Sequence, residues 1–371
     1  MRKSDYNLAI TICTGEDILI FSSIINLLTK LEVNYLIIDI SEERGWFRKG
    51  SQYLSLDYKK PDLSVNFDLN KLDRMKRQIS KFLIDNEVDV NIIHGNSVGA
   101  IISSSESVKN NIVTVNLDAG IRYEGDIEYR VISDYLSNYN LTSLPSATKN
   151  LIEEGFNPSG IKLIGHPISD MVQQVENEAI TKSSILEELD LAKGNYIASI
   201  IYDTQSINSI DNLIKHSKNE LPIIISISKD VENKLFSNDK YVKYMMDYDV
   251  TFIEPLDVID LIALLRNSKF VVSDLDYVCL ISAILRKPSI YLRGNYFRPE
   301  LINGGWVKNF SPKDVSIKPW KVSRTALNVL GGGTVAERFL DLVDTIFKLK
   351  SHPNPPRMPK NIRLKFKRWI V

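Results

Sequence analysis

The run DVNIIHGNSVGAIISSSESVKNNIVTVNLDAG, residues 89–120, decides the fold. A short apolar stretch (residues 90–94) leads into an amphipathic segment (98–110) and then into a second apolar stretch (112–117). Strand, helix and strand in about 30 residues make one βαβ unit. Its strands are parallel, because a crossover helix returns the chain in the same direction. Neither strand alternates cleanly between polar and apolar residues, as expected when helices cover both faces of a sheet. The polar residues His94, Asn96 and Asp118 fall where the strands stop, the end at which open α/β sheets bind ligands.

The rhythm continues in both directions. NLAITIC (7–13), ILIFSSIINLLTKL (18–31) and VNYLIID (33–39) precede the run, and QISKFLIDNEV (78–88) supplies the helix that leads into it. A second series follows: NYIASIIY (195–202), SIDNLIKHSKN (209–219), LPIIISIS (221–228), DVTFIEP (249–255), VIDLIALLRN (258–267), KFVVSD (269–274), VCLISAILR (278–286) and KPSIYLRG (287–294). The charged stretch QQVENEAITKSSILEELDLAKG (173–194) separates the two series. The expected architecture is two Rossmann-like, doubly wound α/β domains facing a cleft, spanning 1–170 and 171–345. Residues 346–371 form the helix end and a tail, with a return to the first domain as one option.

Composition narrows the function. The chain's 371 residues carry 46 Lys and Arg against 46 Asp and Glu, so the electrostatic footprint of a general nucleic-acid binder is missing. Cys13 and Cys279 are the only cysteines, too few for a disulfide framework or a Cys-rich zinc site. His216 and His352 have no neighbours at metal-ligand spacing, and no P-loop, nucleophile elbow or GxGxxG occurs, so neither metal nor cofactor is expected. The N-terminus lacks the apolar stretch of a signal peptide and no run approaches the roughly 20 residues of a membrane span, which points to the cytoplasm. From Pro353 to Val371 there are six basic residues and no acidic one, interleaved with Leu364, Phe366, Trp369 and Ile370. Such a tail suits either weak membrane-surface contact or packing back across the first domain.

Residues 89–175 resemble the UDP-N-acetylglucosamine 2-epimerase family. HGNS (94–97), LDAGIR (117–122), Asp126 four residues before Arg130, NLIEEG (150–155) and GHPISD (165–170) follow the family's H-G-D, V-E-A-G-x-R, acidic, N-L-x-x-E-G and G-N-P-x-x-D elements in order. KPDLSVNFDL (60–69) is similar to its P-D-x-D-L stretch, and residues 250–300 follow the run from E-P-L to R-x-N-x-x-R-P-E without a gap. The resemblance implies a GT-B-like fold, a nucleotide-sugar ligand, a homodimer formed through the first domains, and a role related to surface-glycan biosynthesis. It also implies a reaction in which paired carboxylates move a sugar proton through a 2-acetamidoglucal intermediate.

Set against the family pattern, the diphosphate positions are changed. Leu275, Asp276 and Tyr277 stand where Ser-Gly-Gly lets backbone N–H groups approach the phosphates, and Leu280 and Ile281 replace two glutamates, one of which takes the ribose hydroxyls. Gly15 stands for the Arg of G-T-R-P-E, Tyr202 for the His of H-R-x-x-N, and Tyr296-Phe297 for a Thr-Glu pair. Each charge-assisted bond to a diphosphate contributes about 1.5–3 kcal/mol, so these losses argue against standard epimerisation. Of the R-P-E loop, Arg293, Arg298 and Glu300 remain as candidate substrate-binding residues, with Arg298 open to either an anion or a structural ion pair.

The acid/base set is partly kept. Asn96 replaces an Asp and cannot take a proton, while Asp118 replaces a Glu and keeps the carboxylate. His94, Asp118, Asp126 and Arg130 are the candidate catalytic residues, with Asp126 and Arg130 able to pair at i,i+4 on a helix. The same residues suit a surviving structural network. His166 reads as a turn residue with ligand duty a minor option, and Gly331–Gly333 as either a flexible helix start or an anion site. Three functions follow: an active nucleotide-sugar enzyme of the family, a non-catalytic binding or scaffold relative, and a membrane-associated glycosyltransferase of the same architecture.

Overall fold

The computed structural model describes residues 6–40, 61–65, 68–122, 127–217, 221–237, 240–310, 320, 322–323, 330–349 and 351–363. The chain divides into two compact units, Met1–Met171 with Val329–Val371, and Val172–Asn328.

Unit 1 is built on a parallel sheet with strands β1 (Leu8–Ile12), β2 (Tyr35–Asp39), β3 (Leu63–Ser64), β4 (Val90–His94), β5 (Val113–Leu117), β6 (Tyr139–Thr142) and β7 (Ile161–Leu163). Their order is β3-β2-β1-β4-β5-β6-β7, so the winding reverses between β1 and β4. Ile10 of β1 lies beside Ile37 of β2 and Ile92 of β4, and Ile92 lies beside Val115 of β5; all four are fully buried. The helices fit this sheet through regular apolar faces. Leu72–Asp85 buries Met75, Ile79 and Leu83, one residue per turn, and turns its charged residues to solvent. Truncating such a core side chain to Ala costs about 2–5 kcal/mol.

The helix Val335–Lys348 belongs to unit 1, whereas the sequence reading carried the second domain through residue 345. Its stripe of Val335, Phe339, Val343 and Ile346 is buried, Phe347 stacks on Tyr6 at 3.9 Å, and the Tyr6 hydroxyl donates to Asp344 Oδ1 at 2.7 Å. The tail then stays on the same unit. Asn138 Nδ2 donates to the Pro353 carbonyl, the Tyr139 hydroxyl meets His352 Nδ1 at 3.1 Å, and Met358 and Ile362 pack on a cluster that includes Tyr135 and Phe156. Leu364, Phe366, Trp369 and Ile370, which carry the membrane option, lie outside the described residues. Among the described residues no helix is long and apolar enough to cross a membrane.

Unit 2 repeats the plan with β8 (Ile197–Ile201), β9 (Ile223–Ile227), β10 (Val250–Ile253), β11 (Phe270–Ser273), β12 (Ser289–Tyr291) and β13 (Val307–Asn309), all parallel in the order β10-β9-β8-β11-β12-β13. Its core gathers Ile197, Ile225, Phe270 and Val272 of the sheet with Leu213 and Ile214 of the helix Ile207–Ser217. The helix Asp276–Ile284 is apolar almost all round and buries every residue from Val278 to Ala283. Leu280 and Ile281, the replacements for carboxylates, are therefore core residues here.

Candidate functional site

In unit 1, polar and titratable side chains converge at the carboxyl ends of β1, β4, β5, β6 and β7. Beyond β1, the helix Gly15–Lys30 starts with a capping box: Thr14 accepts from Asp17 N, and Asp17 Oδ2 accepts from Cys13 N at 2.7 Å and Thr14 N at 2.9 Å. The other oxygen of Asp17, Oδ1, lies 2.8 Å from Nδ1 of His94, the last residue of β4. Both side chains are fully buried. An ionised Asp17 makes Nδ1 the donor, which leaves Nε2 as the ring's acceptor. That Nε2 is buried with no hydrogen-bond partner and stands 4.0 Å from Asp118 Oδ2.

Asp118 follows β5 in the left-handed region, at φ +51, where Asp is among the few tolerated residues other than Gly. Its carboxylate is fully buried. Oδ1 accepts from the Ser143 hydroxyl beyond β6, and Oδ2 faces Arg130 Nη1 at 3.3 Å and His166 Nε2 at 3.8 Å. Arg130 reaches it from the helix Ile127–Leu136 and also donates to the Asp118 carbonyl. The next turn is fixed by a second network around Asp134. Asp134 accepts from Asn116 Nδ2 and from Gly120 N, and Arg122 spans Asp134 at 2.7 Å and Glu154 at 2.6 Å. Gly120, at φ +77, is required there, because a Cβ would stand 2.4 Å from the Ala147 carbonyl oxygen. Burial pushes the Asp134 carboxyl up from its ordinary 3.8, with Arg122 and the Gly120 N–H pulling the other way.

His166 reaches the cluster because the chain after β7 is held tightly. A Cβ on Gly165 would stand 2.6 Å from the Gly331 Cα, so the two glycine backbones touch, and His166 N donates to the Leu330 carbonyl. Asp170 caps the final helix by accepting from Val335 N at 3.1 Å and Ala336 N at 2.8 Å. The chain's own carboxylate thus occupies the helix start that Gly331–Gly333 had offered to an anion.

The structure brings His94, Asp118 and Arg130 together, while Asp126 lies outside the described residues. Arg130 sits on Asp118, one of the two carboxylates it could tune, and its pairing with Asp126 falls outside the described residues. Sequence reasoning did not single out Asp17, Ser143 or Asp134. One signal was available for Asp17 and Ser143, which lie just beyond a strand end or in the first turn of the helix that follows. Among the described residues no group of three or more His, Cys, Asp or Glu could hold a metal ion.

The strand ends of unit 2 are arranged differently. Arg298 is fully buried, with Nη2 2.7 Å and Nε 3.1 Å from the Asp276 carboxylate in the first turn of the helix Asp276–Ile284. Arg293 Nε faces Asp203 Oδ2 at 3.3 Å. Asp274 accepts from Tyr202 N and Asp203 N, and burial raises its carboxyl pKa against those two bonds. Glu300 sits in the first turn of the short helix Pro299–Asn303. Both loop arginines therefore have a carboxylate of the chain itself as partner.

Two parallel, doubly wound Rossmann-like units with titratable residues at their strand ends define the GT-B-like class of α/β proteins. A family model described as UDP-N-acetylglucosamine 2-epimerase matches residues 59–325, well over half of the chain, and the protein belongs to that family. A UDP-N-acetylglucosamine 2-epimerase of Methanococcus maripaludis is 24% identical, with 95% of this chain and 94% of the relative aligned. Among solved structures, the fold is similar to Methanocaldococcus jannaschii UDP-GlcNAc 2-epimerase in complex with UDP-GlcNAc and UDP, at TM-score 0.78, 21% identity, and coverage of 91% of this chain and 99% of that one. The Rickettsia bellii UDP-N-acetylglucosamine 2-epimerase gives TM-score 0.79 at 18% identity, covering 92% and 96%.

Proposed function

We propose that this protein moves the proton on C2 of a nucleotide-linked N-acetylamino sugar, as in interconversion of UDP-GlcNAc and UDP-ManNAc, with weak anchorage of the diphosphate. The observation that carries the reading is the fully buried pair of His94 Nε2 and Asp118 Oδ2, 4.0 Å apart, with Nε2 left without a hydrogen-bond partner. Two proton-accepting atoms at that separation can both approach one reacting atom about 3 Å from each. Buried charges cost stability unless fully matched, so a cluster with an unused acceptor is poor structural reinforcement and good acid/base machinery.

In the forward direction the C2–H bond breaks and its proton passes to one member of the pair. Its electron pair forms the C1–C2 double bond, while the C1–O bond breaks and the nucleoside diphosphate leaves with those electrons. Return of the diphosphate oxygen to C1 and of a proton to the opposite face of C2 gives the epimer. Arg130, 3.3 Å from Asp118, favours the carboxylate over the acid. Because Arg298 is paired with Asp276, the diphosphate contributes little to affinity, and KM lies in the millimolar range. Incubation with millimolar UDP-GlcNAc in deuterium oxide, followed by proton NMR, tests the reading: the C2 proton signal is lost and UDP-ManNAc appears. Absence of both over days at high protein concentration rejects it.

A second reading, a non-catalytic binding relative, is favoured by the Asp276–Arg298 pair alone. It requires that no exchange occur even when the anchor is restored by substitution of Asp276.

A further inference from the structure

We propose that Asp17 is the positioning residue that sets the tautomer of His94 and so makes Nε2 the proton acceptor of the pair with Asp118; the catalytic part of this inference rests on the function proposed above. The carboxylate of Asp17 is divided between two tasks that cannot exchange. Oδ2 is tied to two backbone N–H groups, Cys13 N at 2.7 Å and Thr14 N at 2.9 Å. Oδ1 is thereby aimed at His94 Nδ1, 2.8 Å away, with both side chains fully buried. A carboxylate only accepts, so a proton sits on Nδ1, and in the neutral ring the lone pair falls on Nε2. No other ring orientation serves as well, since flipping the imidazole would remove the charge-assisted bond in a site without water access.

The charged and titratable groups of this network, on the ring itself or on its neighbours, come from five elements. Asp17 lies on the helix Gly15–Lys30, Asp118 beyond β5, Arg130 on the helix Ile127–Leu136 behind Asp118, and His166 beyond β7. Glu16 is nearby through Asn96 Nδ2, which follows β4. When Nε2 takes a proton, the imidazolium lies between the carboxylates of Asp17 at 2.8 Å and Asp118 at 4.0 Å, so the charge it gains is met at both nitrogens. Asn96, standing where the family pattern has Asp, cannot take this proton, and the Asp17–His94 pair supplies the capacity two residues earlier in the chain.

The discriminating variant is Asp17→Asn. Its side-chain oxygen still caps Cys13 and Thr14, but its NH2 group then faces Nδ1, forcing the proton onto Nε2 and removing the acceptor. Thr14→Ala is the control, since it removes the hydroxyl that caps Asp17 N and leaves the His94 contact in place. Nitrogen-15 NMR of histidine-labelled protein, with His94 assigned by its loss in His94→Asn, reads the tautomer without any substrate. The expected result is Nδ1–H in the native protein and in Thr14→Ala, and Nε2–H in Asp17→Asn. Deuterium exchange at C2 is expected to fall 10²–10⁴-fold in kcat in Asp17→Asn, with KM changed less than threefold, and to hold within threefold in Thr14→Ala. Nε2–H in the native protein, or an unchanged kcat in Asp17→Asn, overturns the inference. If the native protein exchanges no deuterium, the function fails, and the tautomer switch alone still decides whether Asp17 positions His94.

Discussion

The two units share one topology, yet their strand ends treat charge in opposite ways. In unit 2 both loop arginines meet a carboxylate of the chain: Arg298 meets Asp276 and Arg293 meets Asp203. In unit 1 two histidines, two aspartates and an arginine converge in a fully buried cluster, and His94 Nε2 remains unspent. A self-matched pair is a finished structural element, whereas a buried acceptor without a partner is the atom on which the proposed proton transfer rests. The contrast teaches that charge at the strand ends of one unit can be matched internally while in the other it is not. Unit 1 keeps a buried imidazole and carboxylate side by side, while in unit 2 the arginine charge is met by a carboxylate of the chain itself.

The sharpest break in that contrast is made in unit 1. Asp118→Asn, which keeps the volume and removes the proton acceptor, is expected to lower C2 exchange by about 10²–10⁴-fold, as read by NMR, and to lower the melting temperature because the buried Arg130 loses its carboxylate. Next in size is Arg122→Ala, which strands Asp134 and Glu154 and should cost about 3–5 kcal/mol in denaturant unfolding at neutral pH. Its pH dependence has a definite sign. Asp134 already has a folded-state pKa above its unfolded value, so its charge costs stability that reappears as pH falls. Without Arg122 that cost grows, and the variant's deficit should shrink between pH 7 and pH 4.

Asp276→Ser tests unit 2. It takes the Asp276 carboxylate away from the buried Arg298, so melting temperature should fall by several degrees in buffer and recover with millimolar pyrophosphate, while the native protein ignores pyrophosphate. A native protein stabilised equally by pyrophosphate would erase the difference between the units. The smallest effect concerns the tail on unit 1. Burial lowers the His352 pKa below 6.5, so its contribution is complete above that value and is lost as pH falls through the lower folded pKa. Proteolysis of the tail should quicken slightly between pH 7 and pH 5, and a His352→Gln variant should not show the change.

Much of this was legible in the sequence because it rests on patterns of a few residues. The βαβ rhythm of residues 89–120 and the strand series after residue 195 give the two parallel sheets, and His94 and Asp118 fall at strand ends by inspection. The replacements at Leu275–Tyr277, Leu280 and Ile281 were likewise visible as residue types. What stayed hidden depends on long-range geometry. Asp17 reads as a helix cap, which it is, and nothing local shows that its second oxygen meets a histidine 77 residues on. Arg298 carries a charge in any register, and only the fold shows that Asp276, 22 residues earlier, neutralises it. The final helix lacks a sequence signal for the unit it joins, because an apolar stripe specifies that a face is buried and not what covers it.

The most direct test is the dependence of C2 deuterium exchange on UDP-GlcNAc concentration, followed by proton NMR. An active proton-transfer centre with a self-filled phosphate anchor predicts exchange whose rate climbs almost linearly into the millimolar range. Saturation at micromolar substrate would show that the anchor in unit 2 is open, and a rate of zero at every concentration would show that the cluster in unit 1 is inert.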